Sequence, residues 1–167
     1  MTFTLQTDRL VLRPFRAADS LWVTQALEDV DVAQWIPLLP FPYSIDDGRA
    51  FVELQAGPKA DALAVVHNDL PVGCITKVIE LGYWFRKSAW GQGFATEAAR
   101  AVVAQHFRTS DQNLTSGYMI DNNRSQRVLS KLGFVPTETV ERLSTAVDEM
   151  KTIQRMVLSR ADWEACA

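Results

Sequence analysis

The run Leu81-Gly-Tyr-Trp-Phe-Arg86, with Trp90-Gly-Gln-Gly-Phe-Ala-Thr-Glu-Ala98 close behind it, constrains this chain more than any other stretch. The first segment reads as a strand. Gly91 and Gly93 let the backbone turn sharply and approach a ligand with no Cβ in the way. Beyond them Ala95, Ala98, Ala99, Val102, Val103 and Phe107 recur at helical spacing. A glycine turn that opens a helix aims several free N–H groups, and the positive end of the helix dipole, at one point. A phosphate fits that point.

Which phosphate is narrowed by elimination. No Gly-Lys-Ser/Thr follows the turn, so it is not a P-loop. A dinucleotide fingerprint needs glycine where Thr96 stands, and no clean strand leads to Asp111 as a ribose partner. Two readings remain: a pyrophosphate cradle of the kind that holds coenzyme A, or turn chemistry alone.

The chain of 167 residues is expected to form one domain over 1–167. A formal charge of −3 argues against a general nucleic-acid coat or an anionic-membrane binder. No apolar run reaches the length of a membrane span, and the N-terminal residues lack the apolar core of a leader, so a cytoplasmic location is expected. Cys74 and Cys166 lie far apart, and His67 and His106 stand alone, so no metal site is expected. Cys74 reads as a buried small side chain.

The pattern alternates strands and helices. Strands are expected at 8–16, 62–67, 71–79, 81–86, 114–120, 134–141 and 152–159, with Asn68-Asp69 as a hairpin turn. Helices are expected from Asp19 to Asp29, from a capping box at Ser44 and Asp47 to Gly57, from Gly93 to Phe107, and from 124 to 132. Three prolines exclude regular structure from Trp35 to Tyr43. The class is α/β, with mostly antiparallel strands followed by one strand–helix–strand crossover at the glycine loop.

A second motif, Asn122-Asn-Arg-Ser-Gln-Arg-Val-Leu-Ser-Lys-Leu-Gly-Phe134, follows about 30 residues after the loop. The pair of motifs resembles the GNAT superfamily of acetyl-CoA-dependent N-acetyltransferases, and within it the branch that acetylates ribosomal-protein N-termini. The likeness runs from Thr7-Asp-Arg-Leu-Val-Leu-Arg-Pro through Leu158-Ser-Arg-Ala-Asp-Trp163. It implies a mixed, mostly antiparallel sheet of six to seven strands, about four helices, and a splayed strand pair at the acetyl-CoA site. By that resemblance the backbone of Tyr83, Trp84, Phe85 and Arg86 pairs with the pantetheine arm, and an N–H near Phe85 faces the thioester oxygen. The amides of Gly91, Gln92, Gly93, Phe94, Ala95 and Thr96 take the pyrophosphate, with Asn122 and Ser125 completing the coenzyme site. Trp90 stands where the superfamily signature has Arg or Gln. The tyrosine that many relatives use as general acid is replaced here by Leu129, and Ser125 takes that role in this branch. Ser125 also reads as a first-turn cap, and the two roles are compatible.

The acceptor is expected to be a primary amine on a protein N-terminus or a small molecule, attacked from a ternary complex by a monomer or homodimer. At pH 7 an α-amine of pKa about 7.8 is about one-seventh neutral, against about one part in 2,500 for a lysine amine. An α-amine therefore needs little help, and no strong base announces itself. Glu80 is the candidate base, or else a solvated carboxylate at a strand end. Trp35, Phe41 and Tyr43 are candidates for the acceptor side, or rings that close the core. Arg124, Arg127 and Lys131 share one helical face and read either as phosphate partners or as a solvated stripe. Arg86, Lys87 and Arg100 add positive charge nearby. The link between the third and fourth strands is short for this family. The rival functions are acetylation of a small-molecule amine, and a catalytically silent coenzyme-binding module.

Overall fold

The computed structural model describes residues 3–76 and 79–166. Five antiparallel strands form the first sheet in chain order: β1 (Leu5–Gln6), β2 (Leu10–Arg13), β3 (Ala62–His67), β4 (Leu70–Thr76) and β5 (Tyr83–Phe85). A second sheet holds β6 (Leu114–Met119), β7 (Val135–Ser144) and β8 (Glu149–Leu158), with β8 in the middle. The helices are α1 (Ser20–Leu27), α2 (Val30–Ala33), α3 (Ile45–Ala56), α4 (Phe94–Thr109), α5 (Asn123–Lys131) and α6 (Arg160–Cys166).

Side-chain alternation along β3 divides the core in two. Leu63 and Val65 face one cluster with Ile75, Phe85, Phe94, Val102 and Val103, under α4. Ala62 and Ala64 face the other with Cys74, Trp22, Val23, Leu27 and Val52, under α1 and α3. Small residues on that second face let the helices pack close. α3 begins at the expected capping box, in which Ser44 and Asp47 each bond the other's backbone. The β3–β4 hairpin turns on Asn68 and Asp69, with φ of 47° and 63°. Both angles are left-handed, as a tight two-residue turn requires.

The architecture departs from the sequence reading in several places. Among the described residues eight strands form where six to seven are expected, and six α-helices where about four are expected. The expected opening strand 8–16 is limited to β2, because Pro14 follows Arg13 and cannot donate to a ladder, and β1 precedes it as a short strand the pattern did not mark. The first helix ends at Leu27, and the Asp29 carboxylate starts the separate α2 by accepting from the Asp31 amide at 2.9 Å. β4 is described as far as Thr76, whose Oγ1 donates to the Glu80 carbonyl and accepts from the Gly82 amide. Of the expected strand 71–79, residues 77 and 78 lie outside the described residues, and 79 lies outside the β4 ladder. The final hairpin reaches further, to Ser144 and back from Glu149.

Beneath α1, the buried Asp19 carboxylate accepts both Arg13 guanidinium nitrogens at 2.8 and 2.9 Å, the Trp22 indole at 2.7 Å and the Arg16 amide at 2.7 Å. Burial raises its pKa, but these four donors outweigh burial and hold it below the usual carboxylate range. Its contribution to stability is therefore complete at neutral pH and is lost as pH falls through the depressed value. We expect Asp19→Ala to cost about 3 kcal/mol at pH 7 by urea unfolding, because the half-buried Arg13 loses its counter-charge. In Asp19→Asn, the loss of stability as pH falls below the ordinary carboxylate range should be smaller than in the parent.

Candidate active site

The two sheets touch along one edge of β5 and its lead-in. The Leu81 amide donates to the Thr115 carbonyl at 2.8 Å, and the Thr115 amide donates to the Ile79 carbonyl at 2.9 Å. These bonds form a parallel bridge at Glu80 and Thr115, and the Ser116 hydroxyl adds a bond to the Leu81 carbonyl at 2.7 Å. Residues 79 and 81 thus direct their backbone toward β6. By strand alternation Tyr83 and Phe85 point theirs the same way. Yet among the described residues no ladder joins β5 to β6. The pairing stops after Leu81.

That arrangement narrows the candidates on β5. The Arg86 amide donates to the Val72 carbonyl at 2.9 Å, and Trp84 lies opposite Cys74, so their backbone groups belong to β4. Tyr83 and Phe85 are the two that face the gap. The Phe85 carbonyl accepts from the Trp90 indole at 2.9 Å, which leaves the Phe85 N–H turned to the same side. The Arg86 guanidinium lies over the Trp22 ring, away from the gap, and Lys87 is ion-paired with Asp31.

A cleft of about 690 Å³ passes through this gap. On the α4 side it is lined by Tyr83, Phe85, Gly91, Gly93, Phe94, Ala95, Thr96, Asn122 and Ser125. Gly91 and Gly93 have φ of 76° and 81°, a conformation glycine adopts without strain. α4 has no side-chain cap, and its first internal bond runs from the Glu97 amide to the Gly93 carbonyl. The amides of Phe94, Ala95 and Thr96 therefore have no partner within the helix and stand at the cleft. The loop is braced from behind: Arg9 donates to the Gln92 carbonyl at 3.0 Å and pairs with Glu97, which also accepts from Thr7. Burial raises the Glu97 pKa, but the Thr7 and Arg9 bonds outweigh it and hold the carboxylate below its usual range.

α5 brings the second motif to the same place. The Asn122 side chain caps the helix by accepting from the Ser125 amide at 3.1 Å. The Ser125 hydroxyl then lies 3.0 Å from the Tyr83 hydroxyl. Burial pushes the Tyr83 phenol up to about 12, against the lowering effect of the Ser125 bond, so it stays protonated. Leu129 is fully buried in the core. Arg124 stacks on the Trp90 ring, 3.7 Å from its centroid, and Arg127 and Lys131 also line the cleft. The cationic stripe therefore faces the cavity.

The other half of the cleft lies on the α1–α3 face, where Trp35 joins Ile36, Pro37, Phe51 and Trp84. Tyr43 is instead buried in the core below α1 and α3, and Phe41 is not among the lining residues. Glu80 is also outside the lining. Its carboxylate accepts from Arg155 of β8 at 2.7 Å. The Tyr83–Ser125 contact spans 42 positions and cannot be seen as a pair in sequence. The only signal was parity: Tyr83 shares its strand face and edge with Phe85. Asp61, held by Gln55, lines the acceptor half and carries no motif that would have flagged it.

Among the described residues, no helix is long and apolar enough to cross a membrane, and no group of three or more His, Cys, Asp or Glu is placed to hold a metal. The chain is 27% identical over 139 residues to an N-acetyltransferase of Bacillus subtilis (strain 168), covering 77% of this chain and 81% of the relative. It is 24% identical over 116 residues to the ribosomal-protein-serine acetyltransferase of Escherichia coli (strain K12), covering 67% and 65% of the two chains. Its fold matches that of RimL, a ribosomal L7/L12 alpha-N-protein acetyltransferase solved in complex with coenzyme A, with a TM-score of 0.80 over 94% of this chain and 98% of that one, at 16% identity. Residues 9–135 match the acetyltransferase (GNAT) domain family, so the chain belongs to that family and is an N-acetyltransferase.

Proposed function

We propose that this protein moves an acetyl group from acetyl-CoA directly to a primary amine, and that the amine is the N-terminal α-amine of a protein or peptide. One observation carries the reading. The uncapped start of α4, the unpaired edge of β5 and the Ser125–Tyr83 hydroxyl pair all open into one cleft.

Each group has a task that its geometry suits. The amides of Gly91, Gln92, Gly93, Phe94, Ala95 and Thr96 hold the pyrophosphate of the co-substrate at the positive end of α4. Arg124, Arg127 and Lys131 offset its remaining negative charge from the facing helix. The free edge of Tyr83 and Phe85 lies along the pantetheine arm, and the Phe85 N–H donates to the thioester oxygen as charge builds there. Trp84 and Arg86 contribute from behind, by fixing β5 against β4. The Ser125 hydroxyl donates a proton to the departing thiolate and regains one from the proton that the attacking amine releases, while the neutral Tyr83 phenol stays protonated and holds the serine hydroxyl by their shared bond. Asn122 holds Ser125 in place through its cap.

The absence of a base at the gap favours an α-amine. Among the described residues the one carboxylate in the cleft lining is Asp61, two strands away from the lead-in of β5. Glu80, at the closed end of the gap, is paired with Arg155 and stands outside the cleft lining, so any part it takes as a base is indirect. The names of the E. coli and RimL relatives, both acetyltransferases of ribosomal proteins, point the same way. Trp35 stands on the acceptor side of the cleft, and the buried Tyr43 lies in the core against which Ile36 and Leu39 of the Trp35 loop pack. A small-molecule amine is the second reading, favoured by the apolar walls of that half. We place the protein in the cytoplasm.

Calorimetry should detect binding of acetyl-CoA and CoA to the purified protein, and no heat with either would end this reading. Ser125→Ala should lower kcat about 100-fold with acetyl-CoA affinity unchanged. Tyr83→Phe should lower it less, because the serine proton remains. With a peptide acceptor, thiol release per enzyme at limiting peptide should rise with pH and level off above about 8, where an α-amine is neutral. A rise that continues past pH 9 would instead indicate a lysine side chain.

A further inference from the structure

The acceptor half of the cleft is walled mainly by apolar and aromatic side chains, and two polar positions stand out in it: the Trp35 indole and the Asp61 carboxylate. The indole Nε1 of Trp35 is buried and makes no hydrogen bond. Native structures rarely leave such a donor unpaired, and a ligand carbonyl would satisfy it. The second position is Asp61, just before β3. Its Oδ1 accepts from the Gln55 amide nitrogen at 2.8 Å, while Gln55 Oε1 accepts from the backbone amides of Asp61 and Ala62, each at 3.0 Å. Gln55 is itself buried and uses both ends of its amide on this one corner. The carboxylate is therefore aimed, not free to swing.

No cation pairs with Asp61 among the described residues, and it is the one carboxylate among them that lines the cleft. Its charge reaches into the pocket, for burial and the Asp61 charge together push the Cys74 thiol up. Phe51 and Trp84 line the same half of the cleft. Ala62 pairs with Thr76, and Thr76 bonds to Gly82, so Asp61 sits two strand spacings from the lead-in of β5, about 10 Å away.

We propose that Asp61 is a specificity-determining residue that selects acceptors bearing a second, cationic group beyond a bulky apolar or aromatic body. The reacting amine lies at the gap, the apolar body against Phe51 and Trp84, and the far cation on Asp61. This rests on the acetyl-transfer reading above and adds the class of acceptor to it. The cation could belong to a basic side chain near a peptide N-terminus or to a small arylalkylamine, and the recognition chemistry is shared.

Two matched pairs test it and separate the sources. One pair is 4-phenylbutylamine and its para-amidinium derivative, in which the amidinium cannot itself be acetylated. The other is the peptide Ala-Phe-Arg-Ala-Gly and its analogue with Gln in place of Arg. Thiol release gives kcat and KM, and calorimetry of the same compounds on protein with and without saturating CoA gives Kd. The cationic member of at least one pair should show KM and Kd at least tenfold lower than its neutral partner. Asp61→Asn should erase that preference by raising KM, with kcat and CoA affinity unchanged. Equal affinity for both members of both pairs in the parent protein would overturn the proposal, whether or not the variant folds. So would a preference that survives in Asp61→Asn. Failure to bind CoA would defeat the acetyl-transfer reading separately, because the calorimetric preference is measured on the CoA-free protein too.

Discussion

The whole arrangement depends on where backbone pairing stops. β5 is bonded along one edge to β4, and its lead-in is bonded along the other edge to β6 through residues 79 and 81. Two residues later the same edge has no strand to meet. An unpaired strand edge inside a protein is costly, because each buried N–H or C=O without a partner loses the bond it would make to water. Such an edge persists only where something else completes it. The Trp90 indole completes one carbonyl, that of Phe85. The remaining groups are those a long polar arm can satisfy, and a pantetheine chain with its two amides has the chemistry to do so.

The second sheet keeps the gap open. β6 pairs with β8 over six consecutive rungs, from Leu114–Leu158 to Met119–Ile153, which commits its other edge. Opposite the gap it carries Gly117, where a Cβ would lie 3.0 Å from Ile153 Cγ2 and 3.1 Å from the Gln154 carbonyl. The strand is thus pressed against β8 and presents no side chain at that position to fill the cleft. β8 also supplies Arg155 to Glu80 at the closed end. The β7–β8 hairpin, in turn, fixes the acceptor loop. The buried Ser144 hydroxyl donates to the Gln34 carbonyl at 2.8 Å, and the Leu38 amide donates to the Leu143 carbonyl at 3.1 Å. One sheet therefore sets both the width of the gap and the wall beyond it.

This division explains what the sequence could and could not reveal. Local rules worked where a few neighbouring residues decide the outcome. The Ser44 box starts α3, Asn68-Asp69 turns the hairpin, and the glycines at 91 and 93 open α4 with its amides uncapped. Helical periodicity located α4 and α5 within a residue or two. The misses have tertiary causes. Whether an amide on β5 faces β4 or the gap is a matter of parity against a partner strand, and that assigns the Arg86 amide to Val72. Tyr43 looks like a binding-loop aromatic until α1 and α3 close over it. The Gln55–Asp61 corner and the Tyr83–Ser125 contact join residues that no motif links. Short helices such as α2 and α6 carry too little periodicity to be seen.

Placing the cleft across the sheet, instead of on one face, has a chemical consequence. The α4 face offers helix amides and the cations of α5, which suit a polyanion, while the α1–α3 face offers aromatic walls and a single aimed carboxylate. The two ligands would then enter from opposite faces and meet only at the unpaired edge of β5. Their charges are sorted by the protein before they meet: anion on one side, cation on the other. Such separation disfavours the acceptor in the coenzyme half and the coenzyme in the acceptor half, since each would face like charge or an unmatched apolar wall. The direct transfer proposed above requires both to be present at once, and a site with two electrostatically distinct halves fills both without competition. The neutral hydroxyl pair of Tyr83 and Ser125 sits between the halves and biases neither by charge.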